Sequence, residues 1–159
     1  MAALIAYATK HGMTERCARA LEKRLPGGGD LWNLKDGAPD LSGYDAVILG
    51  TSVYAGMPRK EFKQFVAAHG AALAEKRLGL FLCCMLEGEQ AQRQLEAIFP
   101  PELRGAARAQ GVLGGGIQPA AMNFWERIII RMVSGEALRE RFSLHELALE
   151  HFAQAFGEA

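Results

Sequence analysis

Continuously apolar runs alternate along the chain with segments of helical periodicity. The runs at 2–8, 46–50 and 78–85 lack the polar positions of a half-exposed strand, and such runs are typical of strands buried on both faces of a parallel sheet. Shorter strands are predicted at 30–34 and 111–115. Strands that alternate with helices indicate βαβ units with right-handed crossovers, so the pattern predicts a three-layer α/β fold.

The predicted helices are amphipathic, and local residues mark their ends. Thr14 is the expected N-cap of the first helix, and Pro100 with Pro101 ends the third, which begins at about Glu89. His69 shares a face with other apolar residues, which favours a core or boundary histidine over a metal ligand. The expected apolar faces of the first, second and last helices are Cys17, Leu21 and Leu25; Phe62, Phe65, Val66, His69 and Leu73; and Leu144, Leu147, Ala148 and Phe152.

Composition narrows the class of protein. A chain of 159 residues has the length of one domain, and its 18 Lys and Arg balance 18 Asp and Glu, so it lacks the electrostatic signature of a nucleic-acid binder. Cys17, Cys83 and Cys84 cannot form a framework of paired disulfides and are interpreted as small buried residues in a reducing compartment. No metal site is expected, because zinc-ligand spacing is missing and His145 and His151 do not share a helical face.

The chain carries no membrane-targeting pattern. Its first residues lack the basic region of a signal peptide. The uninterrupted apolar runs are far shorter than the ~20 residues that cross a bilayer. We therefore expect a cytoplasmic protein that does not span a membrane.

The candidate site lies in three loops. In an open α/β sheet, ligands bind beyond the carboxyl ends of the strands, where the strand order reverses. The loops at 9–14, 51–58 and 84–89 follow the strands that meet there. In the first loop, Thr9 and Thr14 bracket a glycine before a helix start, which suits a phosphate because hydroxyls and free N–H groups meet the positive end of the helix dipole. An ordinary capped helix start is the alternative.

The second loop suits a flat aromatic ligand. Tyr54 lies among Ser52, Ala55 and Gly56, whose small size allows a ring to stack on the tyrosine and to hydrogen-bond with the backbone. Such contacts suit an isoalloxazine ring, and an ordinary half-buried tyrosine is the alternative. The chain has neither a Walker A motif nor a Gly-x-Gly-x-x-Gly motif, so nothing supports an ATPase or a dinucleotide-binding protein.

Two blocks of the sequence resemble the flavodoxin-like FMN proteins. They are Thr9-Lys10-His11-Gly12-Met13-Thr14 after the first strand and Gly50-Thr51-Ser52-Val53-Tyr54-Ala55-Gly56 after the third. Within these proteins, the chain is most similar to the menaquinone-dependent protoporphyrinogen IX dehydrogenases of bacteria. That likeness extends to Tyr7-Ala8, to Phe62 and Phe65-Val66, and to residues 124–127 and 134–136, so it spans nearly the whole chain.

The resemblance implies a five-stranded parallel sheet in the order 2-1-3-4-5, with FMN at the edge of strands one and three. The residues expected to bind the FMN phosphate are Thr9, Lys10, His11, Gly12, Met13 and Thr14. Those expected to line the flavin are Ser52, Val53, Tyr54, Ala55 and Gly56, with Met85, Leu86 and Glu87 on its far side.

Two features depart from the electron-carrier flavodoxins. Many carriers have Thr-Gly-Asn-Thr where this chain has His11-Gly12-Met13-Thr14. The third loop, 84–89, has no aromatic residue to cover the ring. The second flavin face is therefore expected to be open to a substrate or a quinone.

An amphipathic insertion at about 117–141 is predicted within this single domain, which spans 1–159. Arg127 and Arg131 stand one turn apart, and the segment suits a membrane surface with a lipid quinone, or the propionates of a porphyrin. Trp125, Arg127 and Arg131 are the candidate substrate or quinone contacts, and packing on the sheet edge or in a homodimer is the alternative. The apolar face comprises Phe124, Trp125, Ile128, Ile129, Met132 and Val133.

The resemblance implies an FMN-dependent dehydrogenase of haem biosynthesis that oxidises a porphyrinogen and reduces a quinone, with peripheral contact at the inner face of the membrane. No side chain is expected to be an obligatory acid or base, so no catalytic residue is assigned. The alternative is a flavodoxin-type electron carrier that serves a redox partner protein, although this neutral chain does not show the acidic surface usual in carriers. A phosphoacceptor receiver domain is excluded because residues 6–9, which end the first strand, include no acidic side chain.

Overall fold

Strands and helices alternate through the residues that the computed structural model describes, which are 3–54, 56–117 and 141–157. In this part of the chain, the strands are β1 (Ala3–Ala8), β2 (Gly29–Asn33), β3 (Ala46–Tyr54), β4 (Met57–Pro58), β5 (Arg77–Cys83), β6 (Ala107–Ile117) and β7 (Arg141–Leu144). The helices are α1 (Met13–Glu22), α2 (Lys60–Ala74), α3 (Gly88–Ile98), α4 (Pro101–Ala106) and α5 (Glu146–Gly157), with one 3-10 turn at Leu34–Asp36.

The five parallel strands have the predicted order. They run β2-β1-β3-β5-β6, which is the 2-1-3-4-5 arrangement of a doubly wound sheet. The α/β fold class and the three-layer arrangement predicted from the sequence are therefore confirmed.

The sheet is wider than the five strands expected. Gly56, with a φ of 77°, reverses the chain after β3, so Met57 of β4 pairs antiparallel with Tyr54. Beyond β6, β7 forms an edge of the sheet and pairs antiparallel with β6, from Ile117 opposite Arg141 to Gly114 opposite Leu144. Both strands add to one sheet of seven strands, and the predicted loop 51–58 is instead the end of β3 and a tight hairpin.

Each central strand contributes alternate residues to two separate cores. In β1, Leu4, Ala6 and Ala8 pack with α2, α3 and α4, whereas Ile5 and Tyr7 face α1 and α5. Val47 and Leu49 in β3 face the first of these cores, and Ile48 faces the second. Burial on both faces explains why these strands are continuously apolar in the sequence.

Several helix boundaries differ from those predicted. Gly12, and not Thr14, is the N-cap of α1, so Thr14 lies inside the first turn and is buried. The prolines end α3 as expected, but Pro101 occupies the first turn of the short α4, where its missing N–H is no loss. β6 begins directly after α4, at Ala107, which is earlier than the predicted start at 111.

The last helix buries only part of the face expected: Phe152 is buried and Leu144 and Ala148 pack against the same core, but Leu147 does not. Leu144 ends β7, and the helix begins only at Glu146, which leaves Leu147 75% exposed. The buried residues are Leu149, Phe152, Ala153 and Phe156. The Arg24 side chain joins α5 to the end of α1, because its Nε donates to Glu150 Oε1 at 2.9 Å and its guanidinium also pairs with Glu146. The predicted insertion at 117–141 lies almost wholly outside the described residues.

We expect Gly50→Ala to destabilise the fold by about 1–3 kcal/mol, because a Cβ at Gly50 would lie 2.1–2.5 Å from ring carbons of Phe81. Gly70→Ala is the matched control: nothing lies within 4 Å of its added Cβ in α2, and alanine favours helix. Urea denaturation should show a lower free energy of unfolding for Gly50→Ala, and a free energy of unfolding higher by about 0.5–1 kcal/mol for Gly70→Ala. Equal stability of Gly50→Ala and the natural chain would contradict the packing at β3.

Candidate active site

Strand register brings the three predicted loops to one edge of the sheet. Ala8 at the end of β1 pairs with Thr51 of β3, and Ser52 of β3 pairs with Cys83 at the end of β5. Because the strands are parallel, the residues that follow β1, β3 and β5 emerge side by side. The structure thus places the loop 9–12, the end of β3 and the loop 84–87 together, as the sequence predicted. We call this part of the sheet the site edge.

The first loop is a closed turn that begins α1. Gly12 has a φ of 87°, a conformation that favours glycine, and its N–H donates to Thr9 Oγ1 at 2.9 Å. Arg16 N–H donates to the Gly12 carbonyl, so α1 starts directly at the end of this turn. The first N–H groups of a helix have no intrahelical partner, and here they face the site edge at the positive end of the helix dipole.

Two buried hydroxyl groups at this edge have no hydrogen-bond partner. They are Thr14 Oγ1, in the first turn of α1, and Ser52 Oγ, near the end of β3. Thr14 is fully buried, and its hydroxyl lies beside the Cys83 thiol without the geometry of a normal hydrogen bond. A buried hydroxyl that lacks a partner costs about 1–3 kcal/mol, so both groups destabilise the fold as long as no polar group of a ligand pairs with them.

The second loop is held by the Thr51 hydroxyl. Thr51 Oγ1 donates to the Ser52 carbonyl at 3.0 Å and accepts from Arg59 N–H at 3.3 Å, which ties the end of β3 to the start of α2. Val53 is half-buried, and Gly56 is exposed. The backbone of Tyr54 ends β3, whereas its side chain and Ala55 lie outside the described residues.

The third loop presents apolar side chains to solvent. Cys84 N–H donates to the Gly114 carbonyl at 3.2 Å, which fixes the loop against β6. Beyond it, Met85 is 54% and Leu86 is 38% exposed, and Glu87 is exposed as the N-cap of α3. Met85 and Leu86, together with the exposed Met57 of β4, form a group of exposed apolar side chains at the site edge. We call these three residues, Met57, Met85 and Leu86, the apolar rim.

The cysteine side chains at this edge are neutral. Burial raises the pKa of the Cys83 thiol well above its usual range, with the neighbouring Cys17 sulfur as a further cause. Burial also raises the pKa of the Cys84 thiol, which donates to the Leu86 carbonyl at 3.6 Å. A phosphate at the first loop would therefore meet no thiolate charge from these residues.

Arg59 also belongs to this region, although the sequence did not identify it as a site residue. Its Nε is buried without a partner, and its backbone N–H is the donor to Thr51 Oγ1. The only sequence signal is a single basic residue between Pro58 and the helix, a pattern too common to single it out. By contrast, the predicted contacts Trp125, Arg127 and Arg131 lie outside the described residues.

The described part of the chain contains neither a metal-binding cluster nor a membrane-spanning helix. Among residues 3–54, 56–117 and 141–157, no group of three or more His, Cys, Asp and Glu side chains is placed to hold a metal ion. Within the same ranges, no helix has both the length and the apolarity required to cross a bilayer.

The residues fit the predicted FMN phosphate. The first turn of α1 after Gly12 supplies N–H groups that have no intrahelical partner, Thr14 supplies a buried hydroxyl with an unused donor, and no buried carboxylate of the described residues faces them. A phosphate monoester accepts several such hydrogen bonds at a helix N-terminus.

Solved structures of flavoproteins share the fold. The Flv1 flavodiiron core of Synechocystis sp. PCC6803 is 17% identical over 98% of this chain, with a TM-score of 0.56, but this chain spans only 36% of its length. Oxidised flavodoxin 1 of Bacillus cereus is 16% identical, with 86% of this chain and all of the flavodoxin covered and a TM-score of 0.52. A Lactobacillus acidophilus NCFM flavoprotein, solved in complex with FMN, is 14% identical over 70% of this chain and 92% of its own, with a TM-score of 0.52.

The sequence comparison gives the family. No curated protein matches the chain. The sequence model of the flavodoxin domain, however, matches residues 4–143, which is most of the chain and includes all three loops of the site edge. This match is to the domain family as a whole and does not distinguish among its subgroups. The chain belongs to the flavodoxin-domain family, whose cofactor is FMN.

Proposed function

We propose that this protein is an FMN-dependent oxidoreductase that takes electrons from a reduced organic substrate and passes them to a quinone, as the protoporphyrinogen IX dehydrogenases that it resembles do. The observation that carries the proposal is the pair of buried, unpartnered hydroxyls of Thr14 and Ser52 at the edge where β1 and β3 end. A porphyrinogen is the proposed substrate, which would place the protein in haem biosynthesis.

The first loop would hold the phosphate of FMN. Thr14 Oγ1 would donate to a phosphate oxygen, and so would the backbone N–H groups of Met13 and Thr14 in the first turn of α1. Thr9 Oγ1 already accepts from Gly12 N–H, so its own hydroxyl hydrogen remains free to point at the same group. Lys10 and His11 add their side chains at this loop, and Met13 is buried beneath it.

The second and third loops would enclose the ring. Ser52, Val53 and Gly56 would line one side together with Tyr54 and Ala55, and residues 85–87 would border the other. When bound, the flavin supplies the redox chemistry by accepting and releasing one or two electrons. The chain's own residues bind it, orient it and exclude water from its buried side, and we assign no side chain as an acid or base.

An apolar electron acceptor is favoured over a charged one. The apolar rim of Met57, Met85 and Leu86 exposes hydrocarbon and thioether groups at the mouth of the site, a surface that an apolar partner can cover. The exposed faces of porphyrinogens and lipid quinones are themselves largely apolar. The rim therefore supports a small apolar substrate or acceptor.

The two ends of the insertion lie at the site edge, which supports a role for the insertion there. β6 runs parallel to β5, so Ile117 lies at the same end of the sheet as the site, and Arg141 returns directly opposite it. We propose that the insertion belongs to the single domain and that Trp125, Arg127 and Arg131 contact the quinone, the porphyrin propionates, or the inner face of the membrane. A homodimer contact through the same segment is the competing proposal.

A flavodoxin-type electron carrier is the second candidate function. Its support is the fold shared with the Bacillus cereus flavodoxin, which is a likeness of architecture alone. A carrier needs a redox partner protein rather than a substrate of its own. Turnover of protoporphyrinogen with a menaquinone analogue separates the two candidates, because a carrier would show FMN binding without that turnover.

We expect Thr14→Val to weaken FMN binding by roughly 10- to 150-fold, since a hydrogen bond to a charged acceptor contributes about 1.5–3 kcal/mol. The stability of the protein without FMN should stay equal or rise, because the substitution removes a buried hydroxyl that has no partner. Fluorescence titration with FMN and thermal melts of the apoprotein measure both. Ser42→Ala, which removes a hydroxyl that Asp40 binds at the surface, is the control.

Loss of apoprotein stability in Thr14→Val together with unchanged FMN affinity would contradict the phosphate-loop assignment.

The first measurement on the natural chain is the visible absorbance spectrum. A flavin spectrum, or its appearance on addition of FMN, supports the proposal, whereas no binding at excess FMN removes the enzyme and the carrier together.

Deletion of residues 119–135 should leave FMN affinity unchanged and abolish quinone reduction, because the flavin contacts lie in the three loops of the site edge. Trp125→Ala and Arg127→Gln test the same role within the full-length chain, and we expect at least a tenfold loss of kcat/KM for the quinone. Leu147→Ala, which truncates an exposed side chain of α5, is the control. Full quinone turnover by the deletion variant would remove the insertion from the mechanism.

A further inference from the structure

Two cysteines that are far apart in the sequence touch beneath the site edge. Cys83 Sγ lies 3.0 Å from Cys17 Sγ, although 66 residues separate them. Both are free thiols, and their exposed fractions are 1% and 0%. Cys17 belongs to α1 and Cys83 is the last residue of β5, so the contact joins the helix behind the first loop to the strand before the third.

The surroundings hold the two sulfurs together. Cys83 pairs with Gly114 of β6, and a Cβ added at Gly114 would lie 2.8 Å from Cys17 Sγ. The sulfur of Cys17 therefore occupies the space that a side chain at 114 would take. A disulfide bond has a length of about 2.05 Å, so the two sulfurs need to approach by only about 1 Å to be bonded.

We propose that Cys17 and Cys83 form an oxidative modification site, at which a peroxide converts the two thiols into a reversible intramolecular disulfide. One sulfur, as its thiolate, attacks a peroxide oxygen, the O–O bond breaks and water leaves after proton transfer, which yields a sulfenic acid. The second sulfur then attacks the first, and a second water leaves. The two thiols are oxidised by two electrons, and one hydrogen peroxide is reduced to two waters.

Burial makes this reaction slow in the closed structure. Both side chains are enclosed, and the pKa of the Cys83 thiol is raised by that burial, so little thiolate is present. Oxidation therefore requires an opening of α1 against β5. Cys84 is also buried, but it packs in the other core, apart from the core that holds Cys17 and Cys83, and its thiol donates to the Leu86 carbonyl at 3.6 Å.

The pair is also coupled to the proposed cofactor site, and this part rests on the proposed function. Cys17 follows Thr14 by three residues, one turn along α1, and Cys83 lies beside the Thr14 hydroxyl. A phosphate bound at the first turn of α1 would hold that turn against the sheet. Bound FMN would then suppress the opening that exposes the sulfurs, so the apoprotein is the form that is oxidised.

The test treats the full-length apoprotein with hydrogen peroxide and counts free thiols after unfolding and alkylation. We expect the count to fall from three to one and mass spectrometry to identify a peptide that links Cys17 to Cys83. Dithiothreitol should restore all three thiols. The crosslinked protein should melt several degrees higher than the reduced protein, because the disulfide closes a long loop in the unfolded chain.

Three variants identify the partners. Cys84→Ala should still form the crosslink and leave no free thiol, whereas Cys17→Ala and Cys83→Ala should each form none. A linkage that includes Cys84, or three free thiols after prolonged oxidation, would overturn the proposal. The use of two separate single variants keeps the test valid if one of them folds poorly.

A parallel reaction with saturating FMN tests the coupling, and we expect crosslinking to slow at least tenfold. If titration shows that FMN is bound and the crosslinking rates with and without FMN are equal, the coupling is overturned, whereas the proposed disulfide site is unaffected. Failure of FMN to bind at all would instead overturn the proposed function, and the reaction of the apoprotein would still decide the fate of the cysteine pair.

Discussion

Burial of β1, β3 and β5 on both faces is the constraint on which the rest of the molecule depends. Residues such as Ile5, Ile48 and Leu80 are completely enclosed, and helices cover both sides of the sheet. No ligand can approach these strands from above or below. Polar chemistry is therefore confined to the ends of the strands, and the parallel register gathers three such ends at one place.

The site edge weakens the fold that supports it. Thr14 and Ser52 bury hydroxyl groups that the protein itself does not satisfy, although valine or alanine would fill similar space without that cost. A chain selected for stability alone would not keep both. Such local conflicts are typical of functional sites, and a ligand that completes these hydrogen bonds returns the lost stability on binding.

Much of the fold could be predicted because it depends on local patterns. The double burial of β1 is visible in its uninterrupted apolar run, and alternation of strands with helices was sufficient for the α/β class, whereas the order of the parallel strands came from the resemblance to the flavodoxin-like proteins. The strands β4 and β7 could not be predicted, since Met57–Pro58 pairs only with the last two residues of β3, which extend beyond β1 and β5, and Arg141–Leu144 pairs only because β6 has a free edge. Thr14 was identified as a site residue but misplaced as an N-cap, because the φ of Gly12 decides where α1 begins. The contact of Cys17 with Cys83 is equally non-local and follows from the packing of α1 on β5.

The antiparallel return of β7 along β6 has a consequence for how such a protein can change. Since Ile117 and Arg141 are already paired, the sheet holds together the two ends of the chain between them. The entropy of closing a loop grows only with the logarithm of its length, so doubling that segment would cost about 0.6 kcal/mol. Evolution can therefore lengthen, shorten or rewrite this part of the chain with little effect on the stability of the sheet, and related proteins can acquire new substrates while they keep the same cofactor cradle.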